Sequence, residues 1–126
     1  MVVTNHARGR IALLIANSGA STLIADSVPT QFMIGNGSGT ATESDVTLVN
    51  ATDRQNVTAT DASVVNKITW TGDWNSVELS GLSLKEFGMM PSGAALTGSI
   101  WSRTSLPAIV FDGTNELRIE ETWEVF

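Results

Sequence analysis

The chain has 126 residues, no cysteine, 16% charged residues and a formal net charge of −6. The absence of thiols excludes disulfide scaffolds, thiolate zinc sites and thiol catalysis, and 42% hydrophobic residues argue against disorder. Seven Lys+Arg in total are too few for phosphate neutralisation along a nucleic acid or for a polybasic membrane dock.

A single domain over 1–126 is expected at this length. A helix is predicted over about 5–17. Thr4 or Asn5 caps it, and Ala7, Ile11, Leu14 and Ile15 recur at helical spacing. Asn17-Ser18-Gly19 supplies the stop. The apolar run Ile11–Ala16 falls far short of the ~20 residues of a membrane span. It is also at the short end for a signal peptide, so neither is expected. Residues 35–45 read as a flexible surface loop around Gly35-Asn36-Gly37-Ser38-Gly39.

Beyond residue 27 the pattern is of short β segments. Strands are predicted at Thr30–Ile34, Arg54–Thr60, Val64–Thr71, Leu79–Met90, Gly98–Ser105, Pro107–Phe111 and Leu117–Phe126. Asp45–Val49 reads as a helical turn or a connection, and Thr71-Gly72-Asp73 as a turn. Pro107 places its strand at an edge or at a strand start, and Asp112-Gly113 carries a hairpin signal. In the last strand Leu117, Ile119, Trp123 and Val125 share one face, interrupted by Glu121; Arg118, Glu120, Thr122 and Glu124 share the other. The fold class is therefore mainly β: an antiparallel β-sandwich or barrel-like domain with one short N-terminal helix.

Candidate sites follow from residue chemistry. The glycine loop superficially resembles a phosphate cradle, yet no Walker lysine follows it, and a plain β-loop is the preferred reading. His6 is the one histidine; it lacks the neighbours a triad needs and reads as a solvated or capping side chain. Glu120 and Glu124 lie about 13 Å apart at ~3.3 Å per residue, too far for paired-carboxylate hydrolysis. They read as acids that keep a terminal strand soluble and block edge pairing. Asp112, Asn115 and Glu116 match no calcium-loop pattern. No catalytic residue, metal site or cofactor is expected.

Glu86 is the most informative charge. A carboxylate in an apolar β segment needs a cation, and Arg54 and Arg103 are the two that could reach it, each through its planar fork. Trp70 and Trp74 bracket the predicted turn. They are read as core or contact residues, with a sugar-stacking platform as the rival. Met89, Met90 and Phe126 join them as candidate contacts, since Met and aromatics are enriched at interfaces.

In order, Phe32-Met33-Ile34-Gly35-Asn36-Gly37, the following Thr/Ser stretch, Asp45 to Leu48, Arg54, Leu84-Lys85-Glu86-Phe87-Gly88-Met89, Ile100-Trp101-Ser102-Arg103, the Asp-Gly-Thr turn and Trp123-Glu124-Val125-Phe126 resemble a small structural module of tailed-bacteriophage virions. Phe87 stands where that module carries a small residue, and Met89-Met90 replaces its commoner Leu-Phe. The resemblance implies a non-catalytic virion protein, of the tail-fibre or baseplate type or a capsid-decoration protein. It implies synthesis in the host cytoplasm, other virion proteins as partners and a homo-oligomer, by family expectation a trimer. The alternative function is a carbohydrate-binding or host-receptor-binding module, whose partner would be a host surface glycan. The exposure of Trp70 and Trp74 separates the two.

Overall fold

Residues 1–16, 29–91 and 100–124 are described by the structure, a computed structural model. The helix α1 runs Asn5–Ala16. Thr4 is its cap: its hydroxyl accepts a hydrogen bond from the Ala7 N–H at 3.3 Å and donates to the Ile100 carbonyl. The strands are β1 (Val2–Val3), β2 (Gln31–Gly35), β3 (Ala51–Asn56), β4 (Ala59–Asp61), β5 (Lys67–Trp74), β6 (Ser83–Met90), β7 (Ser102–Val110) and β8 (Leu117–Glu124). They form two antiparallel sheets, β1-β7-β6-β2-β3 and β4-β5-β8. The protein is mainly β, with a sandwich-like pairing of two sheets.

A second helix, α2 (Ser76–Leu79), lies just before the predicted strand Leu79–Met90 and takes its first residue. The signal for it is a capping box. Asn75 accepts from the N–H groups of Val77 and Glu78, and the Glu78 carboxylate accepts from the Asn75 N–H at 2.9 Å.

Alternation along β2 sorts the two cores. Phe32 and Ile34 point between the sheets and join Trp70, Trp74, Leu79, Leu84, Met89, Phe111 and Ile119. Met33 points the other way and joins Leu48, Met90 and Ile100 in a smaller cluster under the loop that covers the outer face of the larger sheet. Met89 and Met90, adjacent on β6, therefore belong to opposite faces, and both are fully buried. Their reading as contact residues is corrected accordingly: they fill the protein's own interior.

For the tryptophans the core reading agrees with their burial, and the contact and sugar-platform readings are corrected. Trp70 is 4% exposed and Trp74 1%. No turn separates them, because β5 continues straight through Thr71-Gly72-Asp73. Four residues apart on one strand, they point to the same side, into the core. Gly72 stands between them because the Phe32 ring lies on it: a Cβ there would meet Phe32 Cδ2 at 2.5 Å. The Trp74 Nε1–H donates to Asp53 at 3.0 Å, and Trp70 packs edge-on to Trp123 with ring centroids 5.5 Å apart. Phe126 lies outside the described residues.

Two further expectations change in part. Pro107 lies at an edge, as one of its two readings has it, but it does not separate two strands. It lies within β7, opposite an irregularity in pairing between Leu84 and Glu86, on a stretch that β1 does not cover. A missing N–H costs nothing at such a bulge on a free edge. Asp112-Gly113 does turn the chain, with Gly113 at φ 92°, but β7 and β8 belong to different sheets, so it joins the layers instead of closing a hairpin.

Because Phe32 occupies the space over Gly72, Gly72→Ala is expected to destabilise the fold by about 1–3 kcal/mol through overpacking. A lowered urea midpoint with an unchanged slope would show it.

Candidate functional site

The most concentrated polar site among the described residues lies on the outer face of the larger sheet, where the glycine loop crosses β6. Glu86 is fully buried there. Its Oε1 accepts from the Gly37 N–H at 3.1 Å and the Asn50 N–H at 2.8 Å. Its Oε2 accepts from the Val49 N–H at 3.0 Å and from Arg103 Nε at 2.9 Å. A carboxylate accepts about four hydrogen bonds, so this one is saturated.

Backbone N–H groups from both ends of the connection between β2 and β3, residues 36–50, thus converge on an anion. The predicted likeness to a phosphate cradle has a physical basis, but the anion is the protein's own side chain. Gly35 and Gly37 are required by this closeness. A Cβ on Gly35 would lie 2.9 Å from Glu86 Oε1, and one on Gly37 only 2.3 Å from it.

Arg103 completes the arrangement from β7, the strand hydrogen-bonded to β6. Its Nη1 donates to Asp45 at 2.9 Å and to the Thr40 carbonyl at 3.4 Å, and its Nη2 donates to the Gly39 carbonyl at 3.3 Å. Ser105 also donates to the Gly39 carbonyl, at 2.6 Å. Of the two arginines expected near Glu86, Arg103 reaches it. Arg54 sits on β3, with β2 intervening between β3 and β6. Two strand spacings of about 4.8 Å separate the two backbones, and the Arg54 side chain is exposed.

Electrostatics follow from this wiring. Partial burial pushes the Asp45 carboxyl up, but the Thr42 N–H, the Arg103 guanidinium and the Thr42 hydroxyl outweigh it and hold the group below its ordinary value. Burial opposes the charge on Arg103 as well, and the hydrogen bonds to Asp45 and Glu86 overcome it and raise its affinity for its proton.

A second buried carboxylate lies on β8 of the smaller sheet, pointing between the two sheets. Glu121 is 5% exposed. Its Oε1 accepts from the Trp123 indole N–H at 2.7 Å, and its Oε2 has no partner. Burial raises its pKa above the ordinary glutamate value, with hydrogen bonds from Ser102 and Trp123 opposing the rise. The sequence signal was present as an acid interrupting the apolar face of β8, and it was not read as a site. Trp101, Trp123 and Trp70 surround this region, with Trp101 and Trp123 centroids 5.6 Å apart.

The remaining candidates are dispersed. His6 is in the first turn of α1. Glu120 and Glu124 share the exposed face of β8. The Asp112 carboxylate accepts from the N–H and hydroxyl of Thr114. Among the described residues no group of three or more His, Cys, Asp or Glu is placed to hold a metal ion, and no helix is long and apolar enough to cross a membrane. Comparison with protein-family models, curated proteins and solved structures finds no match.

Two outcomes follow from the two glutamates. Glu86→Gln sets an amide N–H₂ against N–H donors and strands Arg103, at an expected cost of about 3–5 kcal/mol in denaturant unfolding. Glu121 has the opposite character. Its folded-state pKa is raised, so the folded form binds its proton more tightly than the unfolded form. Its stability penalty begins as pH rises past the unfolded value of about 4.3 and is complete above the folded value. Glu121→Gln is therefore expected to raise Tm at neutral pH, with the gain shrinking as the pH is lowered toward that unfolded value.

Proposed function

We propose that the protein is a non-catalytic structural component of a tailed-phage particle, assembled on the virion exterior as capsid decoration or cement, or as a tail-fibre or baseplate part. The module resemblance supplies the virion setting. The observation that carries the structural role is the Glu86 clamp. Its ionised groups are spent on one another and on the loop backbone, which leaves them no free valence for a substrate and turns the loop into a fixed outer surface.

That surface carries apolar side chains. Val46 is 54% exposed and Val49 62%, while the Val49 N–H is held by Glu86 and the Val46 carbonyl accepts from the Ile100 N–H at 3.5 Å. Valines presented from a braced backbone suit docking by shape, because little conformational entropy is lost when they are covered. Many copies on a repeating lattice then add avidity to a weak individual contact. The sugar-binding alternative drew on Trp70 and Trp74 as a stacking platform, and their burial takes that support away.

Purified particles, labelled with an antibody against this chain and imaged by electron microscopy, test the proposal. Regularly repeated label on the outer surface is expected. Particles free of the protein, or strong binding of the isolated protein on a glycan array, contradict it. The double change Val46→Asp with Val49→Asp is expected to alter folding stability by no more than about 0.5 kcal/mol per site and to reduce incorporation into particles.

A further inference from the structure

We propose that β8 is a pairing edge for a second copy of this chain. Two β8 strands would run antiparallel about a two-fold axis at Glu121 and join the two small sheets into one continuous sheet.

The edges of the fold are unequal. β4 has three residues. β3 begins beside a register shift, opposite Ile34 and Gly35. β7 carries Pro107 and its irregular pairing. Short strands, bulges and proline are the usual protections against edge pairing. β8 has none of them: it runs in unbroken register from Leu117 to Glu124 against β5, and among the described residues no strand pairs with its other side.

The direction of its free backbone groups can be derived. The Thr71 carbonyl accepts from the Thr58 N–H at 2.8 Å, toward β4. Backbone groups alternate sides along a strand, so Ile68, Trp70 and Gly72 aim theirs at β8. Their register partners Trp123, Glu121 and Ile119 aim back. Arg118, Glu120, Thr122 and Glu124 are left with N–H and C=O groups on the open edge.

Strand overlap and charge together favour one register. Centred on Glu121, antiparallel pairing sets Arg118 opposite the partner's Glu124 and Glu120 opposite the partner's Thr122. Each of these pairs can exchange two backbone hydrogen bonds. Shifting the axis to either neighbouring allowed position sets Glu120 against the partner's Glu120, or against the partner's Glu124, and like charges directly opposite are unfavourable. The acids read from the sequence as blocking edge pairing thus disfavour the two adjacent registers; an axis on Ile119 also avoids like charges, setting Arg118 opposite the partner's Glu120, but it overlaps only residues 117–121 of β8, against 118–124 for the axis at Glu121. In that register the intrachain pairs Lys67–Glu124 and Asp73–Arg118 line up end to end across the two protomers, with alternating sign. The arrangement is isologous and closes at two copies, unlike the trimer that the module resemblance implies.

One contact in this register is conditional. Glu121 meets the partner's Glu121 on the axis, on the core side of the sheet. The groups facing it within its own protomer are the Trp123 indole, the Ser102 hydroxyl and the Met1 amino group. Its free Oε2 can hold a proton and donate it to the partner's carboxylate, so acidification strengthens pairing.

Sedimentation velocity of the full chain, across a range of concentrations in neutral and mildly acidic buffer, tests this. A monomer–dimer equilibrium that tightens on acidification is expected. Glu120→Pro removes an N–H used only by the pairing and spares the bonds to β5; it should weaken the dimer about tenfold or more. Arg118→Glu, a surface change that places like charges across the interface, should do the same with an unaltered circular dichroism spectrum. Glu121→Gln should dimerise at neutral pH without the acid dependence. A monomer under all conditions, a trimer, or a dimer that survives both Glu120→Pro and Arg118→Glu overturns the inference. None of these outcomes depends on the virion reading.

Discussion

A carboxylate taken out of water must be given back everything water supplied. Glu86 meets that requirement with four donors, and doing so organises the outer face of the larger sheet. Three donors are backbone N–H groups from the two ends of the loop between β2 and β3; the fourth is Arg103, whose other nitrogens hold Asp45 and the carbonyls of Gly39 and Thr40. The loop also closes over Met33, Leu48, Met90 and Ile100 and receives the start of α1, where the Asn5 N–H donates to the Glu43 carbonyl at 2.8 Å. Without the carboxylate these N–H groups would be buried donors with no acceptor, a penalty of about 1–3 kcal/mol each.

This dependence was partly legible in the residues. An acid inside Leu84-Lys85-Glu86-Phe87-Gly88 demands a partner, and the rule leads to arginine. Choosing between Arg54 and Arg103 requires strand order, which pattern alone does not encode: β7 neighbours β6 and β3 does not. The glycines were legible as a loop. Their purpose was not, since it depends on how close a carboxylate from 49 residues away approaches Gly37.

The β character and the N-terminal helix were legible because alternation and capping are local. Errors arose where a residue type has two physical uses. Gly72 reads as a turn residue and serves instead as a floor for the Phe32 ring; Trp70 and Trp74 both lie in the core, which agrees with their core reading and removes the contact and sugar-platform readings. Pro107 reads as lying at an edge or at a strand start; it sits inside β7, so the start is wrong, but on a stretch that is an edge among the described residues. Glu121 was visible as a break in an apolar face, yet its half-satisfied burial follows from Trp123 on its own strand and Ser102 on the facing sheet.

The two buried glutamates divide the labour of the fold. One is saturated and holds a surface still; the other keeps an unpaired oxygen near an open edge and makes that region responsive to protons. Both fit a protein that works through the shape of its exterior. The most direct measurement of that claim is native-state hydrogen exchange at the amides of Gly37, Val49 and Asn50. Bound to a saturated carboxylate, they should exchange as slowly as the central strand amides of β2 and β6, opening only with global unfolding. Exchange near the rate of an unprotected loop would mean that Glu86 does not hold the loop, and the account of a fixed outer surface would fail.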